Sequence, residues 1–121
     1  MRALFDTNIL IDYLNGIEAA KHEFSLYDSA SISSITWIEV LVGAASGEEA
    51  IQLRAFMSRF KVLPVDLDVS EKTVELRRQY RMRLPDAIIW ATAICDSSLL
   101  VTRNTRDFPA DHPGVREPYH L

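Results

Sequence analysis

The sequence predicts an α/β fold, a three-layer α/β/α domain in which a mainly parallel sheet of four to five strands is flanked by helices. Short apolar strand segments alternate with longer amphipathic helical segments along the chain, which is the pattern of βα units. The predicted strand Leu99–Thr102 contains a continuous apolar run, typical of a parallel sheet covered on both faces. The length of 121 residues suits one domain, and we expect residues 1–121 to form it.

The first part of the chain predicts two strands with two helices between them. Arg2–Phe5 is a short strand, and Thr7–Leu14 places its apolar residues at helical spacing. Asn15-Gly16 ends this helix. A second helix is expected from Ile17 to Tyr27, and Ser31–Ser33 is expected to be a short buried strand.

The middle of the chain predicts two amphipathic helices and an edge strand. Ser34 or Thr36 is the expected N-cap of the first helix, because both hydroxyls can accept a hydrogen bond from a free backbone N–H. Glu48–Phe60 is the second helix, with apolar side chains for one face. Lys61–Val65 is a brief strand, and Pro64 confines it to an edge or an end of the sheet.

The last part of the chain predicts two helices and two strands. Val69–Arg83 is expected to be a helix, with Ser70 as the residue that starts it and acids in its first turn. Ala87–Cys95 is the next helix, and Pro85 opens it because proline fits a first helical turn. The predicted apolar strand Leu99–Thr102 follows. The rest is loop, with one short final strand near Val115.

The charge of the chain is unevenly distributed. The formal net charge is −4, which taken alone argues against binding to a polyanion. Residues 1–53 carry two bases against eight acids, a net of −6, whereas residues 54–121 carry eleven against nine, a net of +2. Arginine is concentrated in residues 77–83, either as a solvated helix face or as a track for phosphates. This division is compatible with a metal pocket beside a nucleic-acid track.

The sequence contains no candidate for a membrane span or a secretion signal. Its uninterrupted apolar stretches are only a few residues long, far short of a transmembrane helix. The N-terminus reaches Asp6 too early for a signal peptide. Cys95 is the one cysteine, so it cannot form an internal disulfide and is consistent with a reducing compartment. We therefore expect a cytoplasmic protein with no membrane contact.

Four acids attract attention because of where the predicted elements place them. Asp6 and Asp107 follow strands, and Glu39 and Asp86 lie on helices beside them. Each has an ordinary structural alternative: a helix N-terminus for Asp6 and Asp86, solvent for Glu39 and a turn for Asp107. Brought to one rim, the four would repel one another unless a divalent cation neutralised them. Oxygen ligands suit Mg²⁺ or Mn²⁺. Zinc is not expected, because the three histidines show no paired spacing.

These acids lie within four sequence blocks that resemble the PIN-domain ribonucleases, and among them the VapC-type toxins of bacterial and archaeal toxin–antitoxin pairs. The blocks are Leu4-Phe5-Asp6-Thr7-Asn8-Ile9-Leu10-Ile11, Ser34-x-Thr36-x-x-Glu39-x-x-x-Gly43, Leu84-Pro85-Asp86-Ala87-Ile88-Ile89-x-Ala91-Thr92-Ala93 and Thr102-Arg103-Asn104-x-x-Asp107-Phe108. A lone Asp-Thr-Asn would be a weak signal. All four blocks, in order and covering essentially the whole chain, are a specific one.

The resemblance implies a single PIN domain over residues 1–121 and an acidic cluster that holds Mg²⁺ or, alternatively, Mn²⁺. The implied catalytic and metal-binding acids are Asp6, Glu39, Asp86 and, as the fourth, Asp107. The family places its fourth acid at either of two positions, and the earlier one is Asn104 here, a weaker ligand. Trp90 replaces the small residue expected at its position, so we expect it to fill the core or a subunit interface.

We therefore expect the protein to be a metal-dependent endoribonuclease. Water activated by the cation would hydrolyse an RNA phosphodiester and leave a 5′-phosphate. Four polar residues are expected to orient the carboxylates: Thr7, Asn8, Thr102 and Asn104. Arg103 and Arg106 are expected to bind the RNA backbone, with residues 77–83 as a further candidate.

The resemblance further implies a VapB-type antitoxin partner and a homodimer. The apolar segment Trp37–Leu41 is a candidate surface for either contact, with core packing as the alternative. A receiver domain is excluded, because Asp6 lacks an acidic neighbour and no lysine follows Lys72. Asn8 likewise excludes an Asp-x-Asp phosphatase. The remaining alternative is a non-catalytic PIN-fold module that keeps antitoxin or RNA binding without turnover.

Overall fold

The computed structural model describes residues 1–121 and contains a five-stranded, fully parallel sheet in the order β3-β2-β1-β4-β5. The strands are β1 (Arg2–Phe5), β2 (Ser29–Ser33), β3 (Lys61–Leu63), β4 (Leu99–Val101) and β5 (Val115–Arg116). The six helices are α1 (Thr7–Leu14), α2 (Glu18–Phe24), α3 (Ser34–Val42), α4 (Gly47–Met57), α5 (Leu67–Tyr80) and α6 (Leu84–Cys95). The predicted α/β class and parallel sheet are confirmed.

The alternation of side chains along β1 divides the core into two layers. Ala3 and Phe5 pack on one face of the sheet with residues of α1, α2 and α4. Leu4 points to the other face and packs with residues of α5 and α6. Successive side chains of a strand point to opposite faces, so this strand needs a continuous apolar run. Phe5 lies in an aromatic cluster. Its ring centroid is 4.9 Å from that of Phe24 and 6.1 Å from that of Phe60.

The strand order reverses between β1 and β4. Strands β1, β2 and β3 extend in one direction from the centre of the sheet, and β4 and β5 extend in the other. Ligands of such sheets bind outside the carboxyl ends of the strands at this reversal. The two loops that begin there start with Asp6 and Thr102.

The caps of two helices differ from the sequence-based expectation. The N-cap of α3 is Ser33, whose Oγ accepts a hydrogen bond from the Ile35 N–H at 3.1 Å. The N-cap of α5 is Asp66, whose Oδ1 accepts one from Val69 at 2.9 Å. Ser70 lies inside the first turn and donates to the Asp66 carbonyl. In both cases the helix begins earlier than predicted, because an eligible side chain stands one turn or one residue upstream.

Other boundaries also differ. α2 ends at Phe24 rather than Tyr27, α4 spans Gly47–Met57 rather than Glu48–Phe60, and α6 begins at Leu84. α5 ends at Tyr80 rather than Arg83, since Arg81 adopts a left-handed conformation with φ of 55°. β2 begins earlier than predicted, at Ser29.

The edge strand, Trp90 and the apolar segment of α3 each bear on a sequence-based prediction. β3 lies at the edge of the sheet, as predicted, but it ends at Leu63, before Pro64, rather than at Val65. Trp90 is 1% exposed and fills the core against Phe108. In the apolar segment Trp37–Leu41 of α3, Val40 is buried whereas Ile38 is 53% exposed. Core packing therefore explains only some of the apolar side chains in this segment. No helix is long and apolar enough to cross a membrane.

Candidate active site

Asp6 lies at the reversal point of the sheet. Its backbone N–H donates to the Val101 carbonyl at 2.9 Å, which fixes it beside the end of β4. The carboxylate is buried and accepts hydrogen bonds from the Thr7 N–H and the Thr102 hydroxyl, each at 2.8 Å, and from Asn8 Nδ2 at 3.2 Å. Burial is the main reason that the pKa of Asp6 is raised to about 6, and the nearby carboxylates of Asp86 and Glu39 contribute less to that rise. The site therefore lacks compensating positive charge around this group.

Glu39 reaches the site from α3 and is its exposed member. Its Oε1 accepts a hydrogen bond from the Thr7 hydroxyl at 2.7 Å, and that hydroxyl lies 2.9 Å from Thr36 Oγ1. The first residue of α1 therefore links the acid of α3 to the end of β1. Oε2 of Glu39 has no hydrogen-bond partner within the chain.

Asp86 comes from the first turn of α6 and is buried. Its Oδ2 accepts a hydrogen bond from Arg83 Nε at 3.3 Å, and its Oδ1 has no partner within the chain. Burial raises the pKa of Asp86; Arg83 opposes this shift, while Asp107 and Glu39 add to it. Burial is thus the main cause of the raised pKa, as it is for Asp6.

These three acids line one open cleft of about 310 Å³. The other lining residues are Thr7, Asn8, Ile11, Arg103 and Asn104. Three of the four predicted acids are thus brought together from three separate segments of the chain. The cleft lies at the carboxyl ends of β1 and β4, where the fold places ligand sites.

Asp107 is set at the side of this cleft. It lines an adjoining open cleft of about 580 Å³ with Asn8 and residues 103–106. Its Oδ2 accepts hydrogen bonds from Asn104 Nδ2 at 2.9 Å and Arg83 Nη2 at 3.4 Å. Asn104, the alternative fourth position, lines both clefts. The two candidates for that position therefore touch each other at the boundary between the clefts.

The polar residues predicted to orient the acids all touch one. Thr7, Asn8 and Thr102 contact Asp6, and Asn104 contacts Asp107. Thr102 is fully buried, and its hydroxyl oxygen also accepts from the Asn104 N–H at 2.9 Å. One hydroxyl thus connects the acid after β1 with the loop after β4.

Arg103 forms an ion pair with Asp12 that was not predicted from the sequence. Its Nε and Nη2 donate to the buried Asp12 carboxylate at 2.6 and 2.8 Å, and the Tyr119 hydroxyl donates to the same group at 2.8 Å. Burial alone would raise the pKa of Asp12, but the hydrogen bonds from Arg103 and Tyr119 outweigh it and hold that pKa below its usual value. Arg106, in contrast, is exposed and lines the larger cleft with no side-chain partner.

Asp12 and Tyr119 are therefore site-supporting residues that sequence reasoning missed. The available signal was an acid within the apolar helix α1, since an ionised carboxylate is rarely buried without a partner. Its partner lies 91 residues away, too far along the chain for spacing to indicate.

The donor set of the cleft fits a hard divalent cation. No three His, Cys, Asp or Glu side chains are gathered closely enough to form a ready-made metal site. The acids do, however, offer free oxygens on Glu39 and Asp86, and burial raises the pKa of Asp6 and Asp86. Oxygen donors with unneutralised charge are what Mg²⁺ and Mn²⁺ bind.

The fold and the cleft define a doubly wound α/β domain with an acid-lined site at its strand reversal. The family model of the PIN domain matches residues 3–110. The chain is 32% identical over 125 residues to Ribonuclease VapC19 of Mycobacterium tuberculosis, covering 96% of this chain and 98% of that protein. The chain belongs to the PIN-domain family, in the group that contains the VapC ribonucleases.

Solved structures agree with this assignment. A chain of a toxin–antitoxin complex from Klebsiella pneumoniae superposes with a TM-score of 0.92 at 45% identity, covering 98% of this chain and 99% of that one. A chain of the DNA-bound VapBC of Salmonella typhimurium superposes with a TM-score of 0.80 at 27% identity, covering 96% of each chain. The family resemblance stated from the sequence blocks is thereby confirmed.

Proposed function

We propose that the protein is an endoribonuclease that hydrolyses RNA phosphodiester bonds with the help of Mg²⁺ or Mn²⁺, and that it is the toxin of a toxin–antitoxin pair. The observation that carries this proposal is the convergence of Asp6, Glu39 and Asp86 on one cleft at the strand reversal. The relatives named as a ribonuclease and as members of toxin–antitoxin complexes support it. We propose that residues 1–121 act as one PIN domain.

The proposed cation would be held by Asp6, Asp86 and Glu39, with Asp107 at the side of the cleft. When bound, it would supply Lewis-acid activation of water and offset the charge of the phosphate. Asp6 is fixed for this purpose by three hydrogen bonds, and Asp86 has Oδ1 free. Glu39, with Oε2 free and exposed to solvent, is placed to accept a proton from the attacking water.

The RNA backbone would enter along the larger cleft. This cleft is lined only by polar residues, and Arg106 has no side-chain partner there. Arg103 remains a predicted backbone contact, but two of its N–H groups already bind Asp12. We therefore assign Arg106 the main contact and Arg103 the support of the loop after β4. Such contacts give affinity without sequence choice.

The proposed partner is a VapB-type antitoxin. Arginine side chains of that partner would pair with the acids of the cleft, which the chain itself leaves largely without cations. We also propose a homodimer, supported by exposed apolar residues of α3: Ile38 is 53% and Val42 78% exposed. We expect the protein to act in the cytoplasm, because RNA is present there. The single free thiol, Cys95, is compatible with that reducing compartment.

Induced expression in a bacterial host tests the toxin proposal. The wild-type chain should arrest growth, and RNA from the arrested cells should contain new fragments with 5′-phosphate ends. Asp6→Asn should abolish both effects. Asp28→Asn is the matched control, because Asp28 is an exposed acid paired with the N-terminus at the amino ends of β1 and β2, away from the cleft.

The outcomes separate the alternatives. Growth arrest that persists in Asp6→Asn without new fragments would support the non-catalytic binding module. Fragments that persist in Asp6→Asn would show that cleavage does not depend on this cleft.

A further inference from the structure

Arg83 bridges two of the predicted site acids. It is the N-cap residue of α6, and its guanidinium donates to Asp86 through Nε at 3.3 Å and to Asp107 through Nη2 at 3.4 Å. Asp86 belongs to α6, whereas Asp107 belongs to the loop after β4. One arginine side chain therefore spans the boundary between the two clefts.

Arg83 is also the one cation that contacts the site acids. No other Lys, Arg or His nitrogen lies within 4.0 Å of a carboxylate oxygen of these four acids. Arg103 lines the cleft, but its guanidinium is bound to Asp12. Within the chain, a single side chain thus offsets part of the negative charge of the site, at Asp86 and Asp107.

The two contacts of Arg83 are of a kind that breaks easily. The side chain is 75% exposed, and both contact distances exceed those of a strong charge-assisted hydrogen bond. Exposed ion pairs contribute little to folding stability. We therefore expect Arg83 to offset the charge of Asp86 and Asp107 while adding little to the stability of the fold.

We propose that Arg83 is the resident counter-ion of this site: a divalent cation displaces it from Asp86 and Asp107, and it then binds a phosphate oxygen of the RNA. This inference rests on the proposed function for its second half, the RNA contact. Its first half concerns this chain and a metal ion alone. A cation bound at the free Oδ1 of Asp86 would repel the guanidinium at Oδ2, and this repulsion favours displacement.

The released side chain is suited to a phosphate. A guanidinium offers five N–H donors in a planar fork that matches two oxygens of a phosphate. The backbone of Arg83 is fixed at the start of α6, so the freed head stays within side-chain reach of the cleft. The charge that offset part of the acids would then offset part of the phosphate charge.

A purely structural ion pair predicts different behaviour. If Arg83 served to fasten α6 to the loop, its loss would leave Asp86 and Asp107 less well placed and would weaken metal binding. If it is a competing counter-ion, its loss strengthens metal binding. The two roles therefore differ in sign.

Mn²⁺ binding measured by calorimetry, in the absence of RNA, decides the first half. Arg83→Gln should bind Mn²⁺ roughly threefold to tenfold more tightly than wild type, as expected for the loss of two competing contacts made by an exposed arginine. Arg106→Gln is the matched control: it removes the same charge from the rim but contacts none of the acids. Equal tightening in both variants would overturn the counter-ion role, and so would weaker binding in Arg83→Gln.

Cleavage kinetics at saturating Mn²⁺ decide the second half. Arg83→Gln should raise KM for RNA roughly tenfold and change kcat little. Arg83→Lys, which keeps the charge but not the fork, should bind Mn²⁺ like wild type and still raise KM. An unchanged KM in both variants would overturn the phosphate contact. If wild type cuts no RNA, the proposed function and the phosphate contact fail together, while the Mn²⁺ result still decides the counter-ion role.

Discussion

Arg103 and Asp12 form a two-point ion pair, with Nε and Nη2 of the arginine at 2.6 and 2.8 Å from the carboxylate oxygens. The pair joins α1 to the loop after β4, and the Tyr119 hydroxyl adds the C-terminal segment. Because the backbone N–H of Arg103 also donates to Asn8 Oδ1 at 3.3 Å, the pair supports a residue that contacts Asp6. The arrangement of the cleft thus depends on a buried acid outside it.

Asp12→Asn should destabilise the fold. The substitution removes one partner of a mostly buried ion pair and leaves Arg103, 31% exposed, without its counter-charge. We expect a loss of about 2–3 kcal/mol in the free energy of unfolding, somewhat below the loss for a fully buried pair. Urea denaturation measures it. Asp28→Asn, in an exposed pair, should leave the midpoint unchanged, and an equally stable Asp12→Asn would remove the supporting role from this pair.

Acid should weaken the fold through Asp12 and Glu23. Burial alone would raise the pKa of Glu23, but hydrogen bonds from Arg116 and Tyr27 hold that pKa below its ordinary 4.5, and the pKa of Asp12 lies below its ordinary 3.8. For a lowered folded-state pKa, the stabilisation is fully present above the ordinary value and is lost as the pH falls towards the folded value. Because of these two groups, the melting temperature should fall as the pH drops below 4.5, the ordinary value of Glu23, and it should fall more steeply for wild type than for Asp12→Asn. Parallel curves would contradict the assignment.

The Thr102 hydroxyl should be needed for both stability and cleavage. It is fully buried, donates to Asp6 at 2.8 Å and accepts from the Asn104 N–H at 2.9 Å. Thr102→Val keeps the shape but leaves both groups without this partner, which should cost about 1–3 kcal/mol and reduce RNA cleavage. Thr102→Ser restores the hydroxyl and should recover most of both. If the valine variant cuts RNA as well as the serine variant, the hydroxyl does not orient Asp6.

Divalent cations should raise the melting temperature of the protein. Burial raises the pKa of Asp6 to about 6, so a bound cation would relieve unfavourable charge, and binding to the folded state alone stabilises it. Differential scanning fluorimetry with Mn²⁺ should show an increase that EDTA reverses. Asp86→Asn should diminish the increase, whereas Asp28→Asn should retain it. An equal increase in Asp86→Asn would place the cation elsewhere.

The sequence predicted the fold and the acids of the cleft because both depend on local patterns. Strand and helix periodicity indicates the parallel sheet, and the position of Asp6 directly after a strand places it at the strand ends. Helix starts were less accurate, since Asp66 and Ser70 are both good N-caps and only packing chooses between them. The partner of Asp12 and the bridge made by Arg83 were not predicted, because each joins residues that only the tertiary fold brings together.

Under the proposed function, the cleft of Asp6, Glu39 and Asp86 hydrolyses RNA with a divalent cation. The most direct measurement is the cleavage rate of RNA by the purified protein with Mg²⁺ or Mn²⁺, after addition of EDTA, and after the cation is restored in excess. We predict cleavage that stops with EDTA, returns with the cation and is absent in Asp6→Asn. Cleavage that continues in EDTA, or that survives in Asp6→Asn, would contradict the account.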